Sequence, residues 1–424
     1  MNHAPRTLRD VTVADDYDPN SMPVAKAREH IRAFLTPVTT IERVHVRSAL
    51  GRILAEDIVS PINVPGHDNS AMDGFAVRHA DLEADADVTL RVVGTSFAGK
   101  PYAGSPEPGD AVRIMTGAVI PPECDTVIPH ERATLGAGNV TLGAGVKKGQ
   151  NARYAGEDLK VGQVALERGQ PMRPAELGLV ASLGIGEVSV YRRLRVAFFS
   201  TGDELVAIGG TLAPGQIFDS NRYTLHGMLT RLGCEVIDMG VIRDTPEAVE
   251  TAFASAAAAA DVVMTSGGVS VGDADYVKQM LDRLGQVLFW KIAMKPGRPL
   301  AFGRIGAAHF FGLPGNPVAV MVTFYQFVRE ALLILMGQSV VPPMPSFKAV
   351  LTAPLKKAPG RTEFQRGILS PGADGHWTVR VTGDQGSGIL SSMSRANCFV
   401  VLSDTTGSLD AGAAVDVQPF DGVL

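Results

Sequence analysis

The chain of 424 residues is long enough for about three domains, since one domain takes roughly 150 residues. Hydrophobic residues make up 45% and charged residues 20%, which is typical of a globular protein. The formal net charge of −5 gives no bulk attraction for nucleic acid or acidic membranes, and we expect neither as a partner. Cys124, Cys234 and Cys398 lack CxxC or zinc spacing, so we expect idle thiols in a reducing compartment.

The sequence also argues against a secreted or membrane-spanning protein. Residues 1–18 carry acidic side chains and no apolar core, unlike a signal peptide. The most apolar stretch, 318–337, is interrupted by Gln326, Arg329 and Glu330, which favours a buried helix over a membrane span. We therefore expect a cytoplasmic protein.

The first half of the chain begins with a polar segment, 1–20, which we expect to be a disordered tail. A helical pattern at 23–37 and a strand-like stretch at 41–46 follow. From 61 to 150, short β-like runs alternate with glycine and proline, which predicts a small β-rich domain. Residues 151–190 then show turns and one helix.

From about 192 to 340, strand-like and helical patterns alternate along the chain. The predicted elements are strand 195–200, helix 221–233, strand 234–242, helix 246–260, strand 261–266, helix 273–285, strand 286–293, hairpin 300–313 and a helix from Pro317. This alternation predicts an open, doubly wound, mostly parallel sheet with helices on both faces. The last part, 341–424, has few helix signals, which predicts a small β-barrel or sandwich.

Polar, mostly glycine-rich clusters follow the predicted strands of the α/β unit. Ligands of open α/β sheets bind beyond the carboxyl ends of the strands. The five clusters are Thr201 to Glu204, Arg243 with Asp244, Ser266 to Asp275, Lys295 to Pro299, and Pro314 to Pro317. We expect all five at one edge of one sheet, since the alternative, that each is only a turn, must hold five times.

The loop SGGVSVGDADYVK at 266–278 has the composition of an anion site. Its glycines let backbone N–H groups approach a ligand closely, and its serines add hydroxyl donors. Lys291, Lys295 and Arg298 supply positive charge for a phosphate or another oxyanion. Asp244 and Asp275 would repel that anion unless a hard cation lay between, which suggests Mg²⁺. Structural turns with helix caps are the alternative.

No generic nucleotide motif explains these clusters. The sequence has no GxxxxGK[ST] loop and no GxGxxG after the first strand of the α/β unit, which argues against ordinary nucleoside triphosphate hydrolysis and hydride transfer. Other clusters lie outside that unit, and each read alone is typical of a turn or hairpin. They are PGHDNSAMDGFAV (65–77), MTGA (115–118), GRTEFQRG (360–367) and DQGSGILSS (384–392), with Asp68, Thr116, Arg361, Arg366 and Ser387 as candidate ligands.

Together and in this order, the clusters resemble the molybdopterin molybdenumtransferase family, whose eukaryotic relative is the C-terminal domain of gephyrin. One matching stretch would say little, but ten in sequence are specific. They are PGHDNSAMDGFAV, RIMTGA, GEDL, STGDEL, DSNRYTL, RDTPEAV, TSGGVSVGDADYVK, FWKIAMKPGRPLAFG, GLPGNPVA and GRTEFQRG.

This resemblance implies a multidomain subunit of class α/β plus β. The implied domains are an elongated linking domain from 21–60 and 151–191, a small β-rich domain (61–150), an α/β molybdopterin-binding domain (192–340) and a C-terminal β-barrel domain (341–424). It implies a homodimer in which the α/β domain of one subunit faces the small β domain of the other. The implied reaction inserts molybdate into adenylylated molybdopterin with release of AMP. Molybdopterin adenylyltransferase and downstream cofactor-handling proteins are the implied partners.

The resemblance also implies a role for each matched residue. Catalytic roles fall to Asp68, Thr116, Glu204, Lys291 and Lys295, and Mg²⁺ would be held by Asp244, Asp275 and Glu204. The cofactor cradle comprises Ser266, Gly267, Gly268, Ser270, Gly272, Arg298, Pro314, Gly315, Asn316, Pro317, Arg361 and Ser387. Arg298 stands where many relatives have lysine, which keeps the positive charge. The final domain matches the family least well.

Three alternatives stay open at the level of sequence. One is a non-catalytic molybdopterin-binding scaffold, as in a gephyrin domain that anchors partners. Another is adenylyl transfer from ATP onto molybdopterin, as in the single-domain relatives of 192–337, which need neither the extra β domains nor Asp68. The third is tungstate in place of molybdate, because the two oxyanions are nearly equal in size.

Overall fold

The computed structural model describes residues 22–267, 283–373 and 375–420. The predicted tail at 1–20 and most of the predicted helix at 273–285 lie outside these ranges. Gly285 itself opens a strand, so the prediction of helix at that residue is wrong.

The N-terminal part of the chain contains helices α1 (Val24–Ala33) and α2 (Pro174–Ser182). Its strands are β1 (Ile41–His45), β2 (Ile58–Val59), β3 (Asn69–Ser70), β4 (Gly74–Val77), β5 (Val88–Ser96), β6 (Asp110–Ile114), β7 (Thr126–Pro129), β8 (Ala133–Leu135), β9 (Asn139–Leu142), β10 (Ala152–Arg153), β11 (Val164–Leu166) and β12 (Glu187–Tyr191). Helix α1 ends four residues before the predicted limit at Pro37, because the chain turns at Phe34.

Two kinds of pairing organise these strands. Six form one sheet in the order β7-β4-β6-β5-β9-β8, all between residues 74 and 142. The others pair across the chain, with β1 on β12, β2 on β11 and β3 on β10, each antiparallel. A separate apolar cluster that includes Leu54, Leu166 and Val190 lies beneath these ladders. The pairings support a linking domain built from two segments, whose limits stay a prediction.

The middle of the chain contains helices α3 (Asn221–Arg231), α4 (Pro246–Ala259), α5 (Pro317–Thr323) and α6 (Arg329–Leu335). Its strands are β13 (Arg195–Thr201), β14 (Leu205–Val206), β15 (Ile217–Phe218), β16 (Glu235–Ile242), β17 (Val262–Ser266), β18 (Gly285–Lys291), β19 (Met294–Lys295), β20 (Pro299–Ile305) and β21 (Ala308–Leu313). Six of these form a sheet in the order β16-β13-β17-β21-β20-β18. The first four strands are parallel and the last two pair antiparallel, which confirms a mostly parallel sheet.

Strand β13 shows why helices cover both faces of this sheet. Its side chains alternate between faces, as in any strand. Val196 and Phe198 belong to the core that includes Leu225 of α3, while Ala197 and Phe199 belong to a second core that includes Phe253 of α4. A strand buried on both sides reads as a continuous apolar run, as RVAFFS does.

Helices α5 and α6 are continuous through a π-helical turn at Phe324–Val328. In the part of the chain that the structure describes, this is the one helix long and apolar enough to cross a membrane, but 78% of its apolar window is buried inside the protein. It is therefore a core helix, as Gln326, Arg329 and Glu330 predict. Pro317 stands at its first turn, where a missing N–H costs nothing.

The C-terminal part is a barrel of β22 (Phe347–Leu351), β23 (Thr362–Pro371), β24 (Trp377–Val381), β25 (Cys398–Leu402) and β26 (Ala414–Pro419), with helix α7 (Leu390–Arg395). The order β23-β24-β22-β26-β25 closes through pairing of β23 with β25. Strand β19 of the α/β part adds in parallel beside β23. The barrel and the α/β part are thus joined by backbone hydrogen bonding at residues 294–295.

Candidate active site

The carboxyl ends of the α/β strands meet at one edge of the sheet. The register pairs Thr201 with Ile242, and Ser266 with both Ser200 and Leu313. Strand β18 is antiparallel to β20, so Lys291 pairs with Pro299 at this same edge. The five polar clusters therefore follow strands that end together, as the alternation of elements predicts. Gly268, Ser270, Gly272 and Asp275 lie outside the described residues.

Asn221 ties two of the cradle loops together. Its side-chain Nδ2 donates to Ser266 Oγ at 2.8 Å and to the carbonyl of Gly315 at 2.6 Å. Ser266 Oγ in turn donates to the carbonyl of Pro314 at 3.4 Å. The sequence analysis missed Asn221, although it is the third residue of the quoted DSNRYTL stretch. Its position at the start of a helix beside the predicted edge was the available signal.

Gly267 allows the loops to approach closely. Its φ is +90°, and a Cβ there would lie 2.7 Å from the carbonyl oxygen of Thr201. A Cβ on Gly315 would lie 3.8 Å from Gly267 Cα, so the two backbones are neighbours. Only glycine combines this conformation with such close contact, which gives physical support to its predicted place in a cradle.

Several buried polar atoms at this edge have no hydrogen-bond partner among the described residues. They are Ser200 Oγ, Thr201 Oγ1, Asp219 Oδ2 and Asn221 Oδ1. Buried polar groups are almost always satisfied in folded proteins. A polar ligand that reaches this edge would supply the missing partners, and the oxygens of Asp219 and Asn221 require a ligand with hydrogen-bond donors of its own.

One tight loop, residues 291–298, carries Lys291, Lys295 and Arg298, and we call it the lysine loop. Ile292 N donates to the carbonyl of Arg298 at 2.6 Å, which closes the loop at its base. Lys295 Nζ lies 3.6 Å from Glu363 Oε1, and its side chain is 49% exposed. Glu363 is buried in β23 and also accepts from Gln365 Nε2 at 2.9 Å. A carboxylate of the barrel thus lies within ion-pair distance of a lysine of the α/β part, and sequence analysis did not identify it.

The barrel reaches the sheet edge at a second point. The carbonyl of Ser387 accepts from Val318 N at 3.0 Å, in the first turn of α5. This contact places Ser387 beside the Pro314 to Pro317 loop, and its role in the cradle stays a prediction. Arg361 is exposed and precedes Thr362 in the chain. The N–H of Thr362 donates to the carbonyl of Ala293, which lies in the lysine loop.

Arg366 holds the loop that carries Ser387. Its fully buried guanidinium donates to Ser392 Oγ at 2.9 Å and to the carbonyls of Asp384, Gln385 and Gly386 at 2.9 to 3.3 Å. Burial lowers the pKa of Arg366 to about 10, which leaves it charged at neutral pH. Sequence analysis placed it in a hairpin and missed this anchoring role. The GRTEFQRG stretch contained the signal, but the partner carbonyls are unreadable from sequence.

Asp68 and Thr116 lie in a second group of residues, in the N-terminal part of the chain. Asp73 Oδ1 accepts from both the backbone N and the Oγ1 of Thr116, each at 2.7 Å. Asp68 Oδ1 accepts from Ala155 N at 2.8 Å, and its carbonyl accepts from Ile120 N at 3.0 Å. The hydrogen bonds of these three residues all stay within the N-terminal part of the chain. Among the described residues, no hydrogen bond joins these three to the sheet edge.

The carboxylates predicted to hold Mg²⁺ are only partly described. Glu204 and Asp244 are exposed after β13 and β16, and Asp275 lies outside the described ranges. Within those ranges, no group of three or more His, Cys, Asp or Glu side chains could hold a metal ion. Mg²⁺ commonly takes one or two carboxylates and completes its shell with water and substrate phosphate oxygens. The carboxylates of Glu204 and Asp244, which follow two strands at the sheet edge, fit that donor set.

Comparison with known proteins gives this arrangement a family. Residues 22–184 match the family described as "MoeA N-terminal region (domain I and II)", and 348–420 match "MoeA C-terminal region (domain IV)". Residues 197–333 match "Probable molybdopterin binding domain". These matches define a multidomain protein with the parts of a molybdenum cofactor biosynthesis enzyme.

Individual relatives agree. A molybdopterin molybdenumtransferase of Haemophilus influenzae is 48% identical over 400 residues, which cover 94% of this chain and 98% of the relative. A second, from Mycobacterium tuberculosis, is 36% identical and covers 93% and 96%. The crystal structure of a molybdopterin biosynthesis moeA protein from Pyrococcus horikoshii OT3 has a TM-score of 0.82 and 28% identity, and covers 95% of this chain and 100% of that one. The chain belongs to the molybdopterin molybdenumtransferase family and is an enzyme.

The Thr116 contacts generate a prediction for Asp73. The Thr116 backbone N–H, and then its hydroxyl, hold the pKa of the Asp73 carboxyl below its usual value. The contribution of the Asp73 carboxylate to the stability of the folded state is therefore fully present above the usual carboxyl pKa. It is lost as pH falls through the lowered pKa. Thr116→Val should raise the Asp73 pKa part of the way back, and Thr116→Ser should leave it low. Carboxyl ¹³C NMR titration measures both, and an unchanged pKa in Thr116→Val would contradict the assignment.

Proposed function

We propose that this enzyme inserts molybdate into adenylylated molybdopterin, releases AMP and thereby forms the molybdenum cofactor. The family assignment supports transfer of molybdenum in cofactor biosynthesis. The observation that carries the finer proposal is the convergence of the lysine loop, the Asn221-linked cradle and the barrel at one sheet edge. A phosphorylated ligand and an oxyanion need this combination of donors and cations.

In this proposal the cradle loops hold the pterin and its phosphate. Ser266 and the backbone of Gly267 and Gly315 approach the ligand, while Asn221 keeps the two loops in register. Unpartnered atoms such as Thr201 Oγ1 and Asp219 Oδ2 bond to its polar edges. Because these groups are held before the ligand arrives, little ordering entropy is lost on binding.

Lys291, Lys295 and Arg298 would stabilise negative charge as AMP leaves. An oxygen of water or of molybdate attacks one phosphorus of the pyrophosphate and forms a new P–O bond, the bridging P–O bond breaks, AMP leaves with one phosphate and the molybdopterin keeps the other. Preorganised cations at a site where charge develops are among the largest contributors to catalysis. Glu363, the ion-pair partner of Lys295, favours a position of the ammonium group beside the barrel. Mg²⁺, held by Asp244, Asp275 and Glu204, would supply further electrostatic relief at the pyrophosphate.

The homodimer is part of the proposal, because in the described parts of the chain no hydrogen bond joins Asp68 or Thr116 to the sheet edge of the same chain. An exposed apolar patch near Glu204 offers a surface for subunit contact. It consists of Ile208, Leu212, Ile217, Phe218 and Tyr223, each 41 to 60% exposed. In the proposed cytoplasmic setting, the dimer receives its substrate from molybdopterin adenylyltransferase and passes the product to downstream cofactor-handling proteins.

The proposed function predicts how AMP is released from adenylylated molybdopterin in the presence of Mg²⁺. We expect release that depends on molybdate, yields active cofactor and falls about 100-fold in Lys295→Gln, which corresponds to about 2.7 kcal/mol. Lys348→Gln is the matched control, because Lys348 is an exposed lysine of β22 that pairs with Asp416. Tight binding without release would favour the scaffold, and turnover only with ATP and free molybdopterin would favour adenylyl transfer. A parallel series with tungstate compares the two oxyanions.

The second prediction concerns the two subunits. Asp68→Ala and Lys295→Gln should each lose nearly all activity alone, because each removes one half of a shared site. Random mixing makes half of the dimers mixed, and each mixed dimer has one intact site of two, so about a quarter of wild-type activity should return. Activity of the refolded or coexpressed mixture measures this value. No recovery, with mixed dimers shown by mass spectrometry, would place both residues in one subunit's site.

A further inference from the structure

We propose that Asp219 and Asn221 select the pterin ring of the substrate by accepting hydrogen bonds from its amidine edge. That edge consists of the ring N–H and the neighbouring amino group, which are two adjacent donors. The inference rests on the proposed function, because it takes adenylylated molybdopterin as the ligand, and it adds which part of that ligand the start of α3 receives. We call Asp219 Oδ2 and Asn221 Oδ1 the acceptor pair.

The amide of Asn221 has only one possible orientation. Its Nδ2 donates to the carbonyl of Gly315 at 2.6 Å, and a carbonyl oxygen can only accept. The same Nδ2 donates to Ser266 Oγ at 2.8 Å, so both amide N–H groups are used within the cradle. Asn221 Oδ1 is left as an acceptor. That atom is buried and has no hydrogen-bond partner in the described parts of the chain.

The carboxylate of Asp219 is oriented by the start of the same helix. Its Oδ1 accepts from the backbone N of Arg222 at 3.2 Å, in the first turn of α3. The residue is only 2% exposed. Its second oxygen, Oδ2, is buried and has no partner among the described residues. Because a carboxylate oxygen only accepts, it needs an N–H or O–H donor from a ligand.

The acceptor pair lies beside the cradle loops. Asn221 is bonded to both loops through Ser266 and Gly315, and Asp219 precedes it by two residues. The Thr201 hydroxyl is also buried and has no partner among the described residues. A Cβ on Gly267 would lie 3.5 Å from that hydroxyl oxygen, so Thr201 borders the same loops from the end of β13. Polar atoms that need a ligand therefore approach the cradle from two elements.

The chemistry of the acceptor pair distinguishes the parts of the substrate. Two acceptor oxygens repel a phosphate, so the phosphates belong nearer the Gly267 backbone and the lysine loop. Adenine offers one amino donor beside a ring nitrogen that accepts, and that edge would satisfy only one of the two oxygens. The pterin amidine presents two adjacent donors. A site built to bond an N–H group rejects an analogue without it, because the buried acceptors then stay unpaired.

The Asp219→Asn variant changes the free acceptor alone. Asparagine keeps an oxygen for Arg222 N, and both residue types accept equally well at the start of a helix. The other oxygen becomes an NH₂ donor that faces the donors of the pterin. We expect the affinity for pterin to fall at least tenfold, which corresponds to about 1.4 kcal/mol. Lumazine, which has a carbonyl in place of the amino group, should bind the variant more tightly than it binds wild type.

Titration calorimetry on the full-length chain measures the dissociation constants of pterin, lumazine and AMP. Asp87→Asn is the matched control, because the exposed Asp87 also accepts from a backbone N–H, that of Ala144. The affinity for AMP should be equal in wild type and Asp219→Asn, since adenine and phosphate lie away from the acceptor pair. An AMP affinity that falls in parallel with the pterin affinity would indicate a structural role and overturn the inference.

The binding measurements are independent of turnover, so their result is separate from that of the AMP-release experiment. A preference of wild type for pterin over lumazine, reversed in Asp219→Asn, supports the inference even if molybdate insertion fails. Equal pterin affinity in wild type and variant, or no saturable binding of pterin to wild type, would overturn it. Weaker binding of Mg²⁺ in the variant, with pterin affinity unchanged, would mark a cation site and overturn it as well.

Discussion

The pairing of β19 with β23 is the contact on which the candidate site depends. It places two backbone residues of the α/β part, 294 and 295, in the sheet of the barrel. The backbone of Lys295 is therefore joined to that of Glu363, and the lysine loop lies between two folded units. A charged loop at the end of an open sheet would otherwise be free to sample many conformations, at a cost in entropy on binding.

A second contact, between the Ser387 carbonyl and the start of α5, also holds the barrel against the α/β part. Ser387 caps the start of α5 through its carbonyl, and Arg366 holds the loop around Ser387 through three neighbouring carbonyls. A buried guanidinium is costly unless its donors are satisfied, so this loop has few alternative conformations. The barrel is therefore part of the site's wall, although its own fold is a separate closed sheet.

Much of this arrangement could be predicted from sequence, because the signals are local. The apolar run RVAFFS, its helices and the polar residues after each strand predict the sheet and its functional edge. Asn221 and Glu363 could not be identified, because their importance depends on partners 45 and 68 residues away along the chain. The pairing of Asp73 with Thr116 spans 43 residues and was missed for the same reason. Sequence periodicity predicts helices and strands, because it is a local property of the chain. Hydrogen bonds between distant loops form only when the whole chain has folded, so periodicity does not predict them.

The pairing of Glu363 with Lys295 offers the most direct test of the account. We would measure single-turnover AMP release at saturating adenylylated molybdopterin and molybdate in Glu363→Gln and Glu363→Asp. The account predicts about a tenfold lower rate in Glu363→Gln, or about 1.4 kcal/mol, with KM unchanged and partial recovery in Glu363→Asp. A Glu363→Gln enzyme that is folded and releases AMP at the wild-type rate would contradict it, because the barrel would then have no part in positioning the lysine.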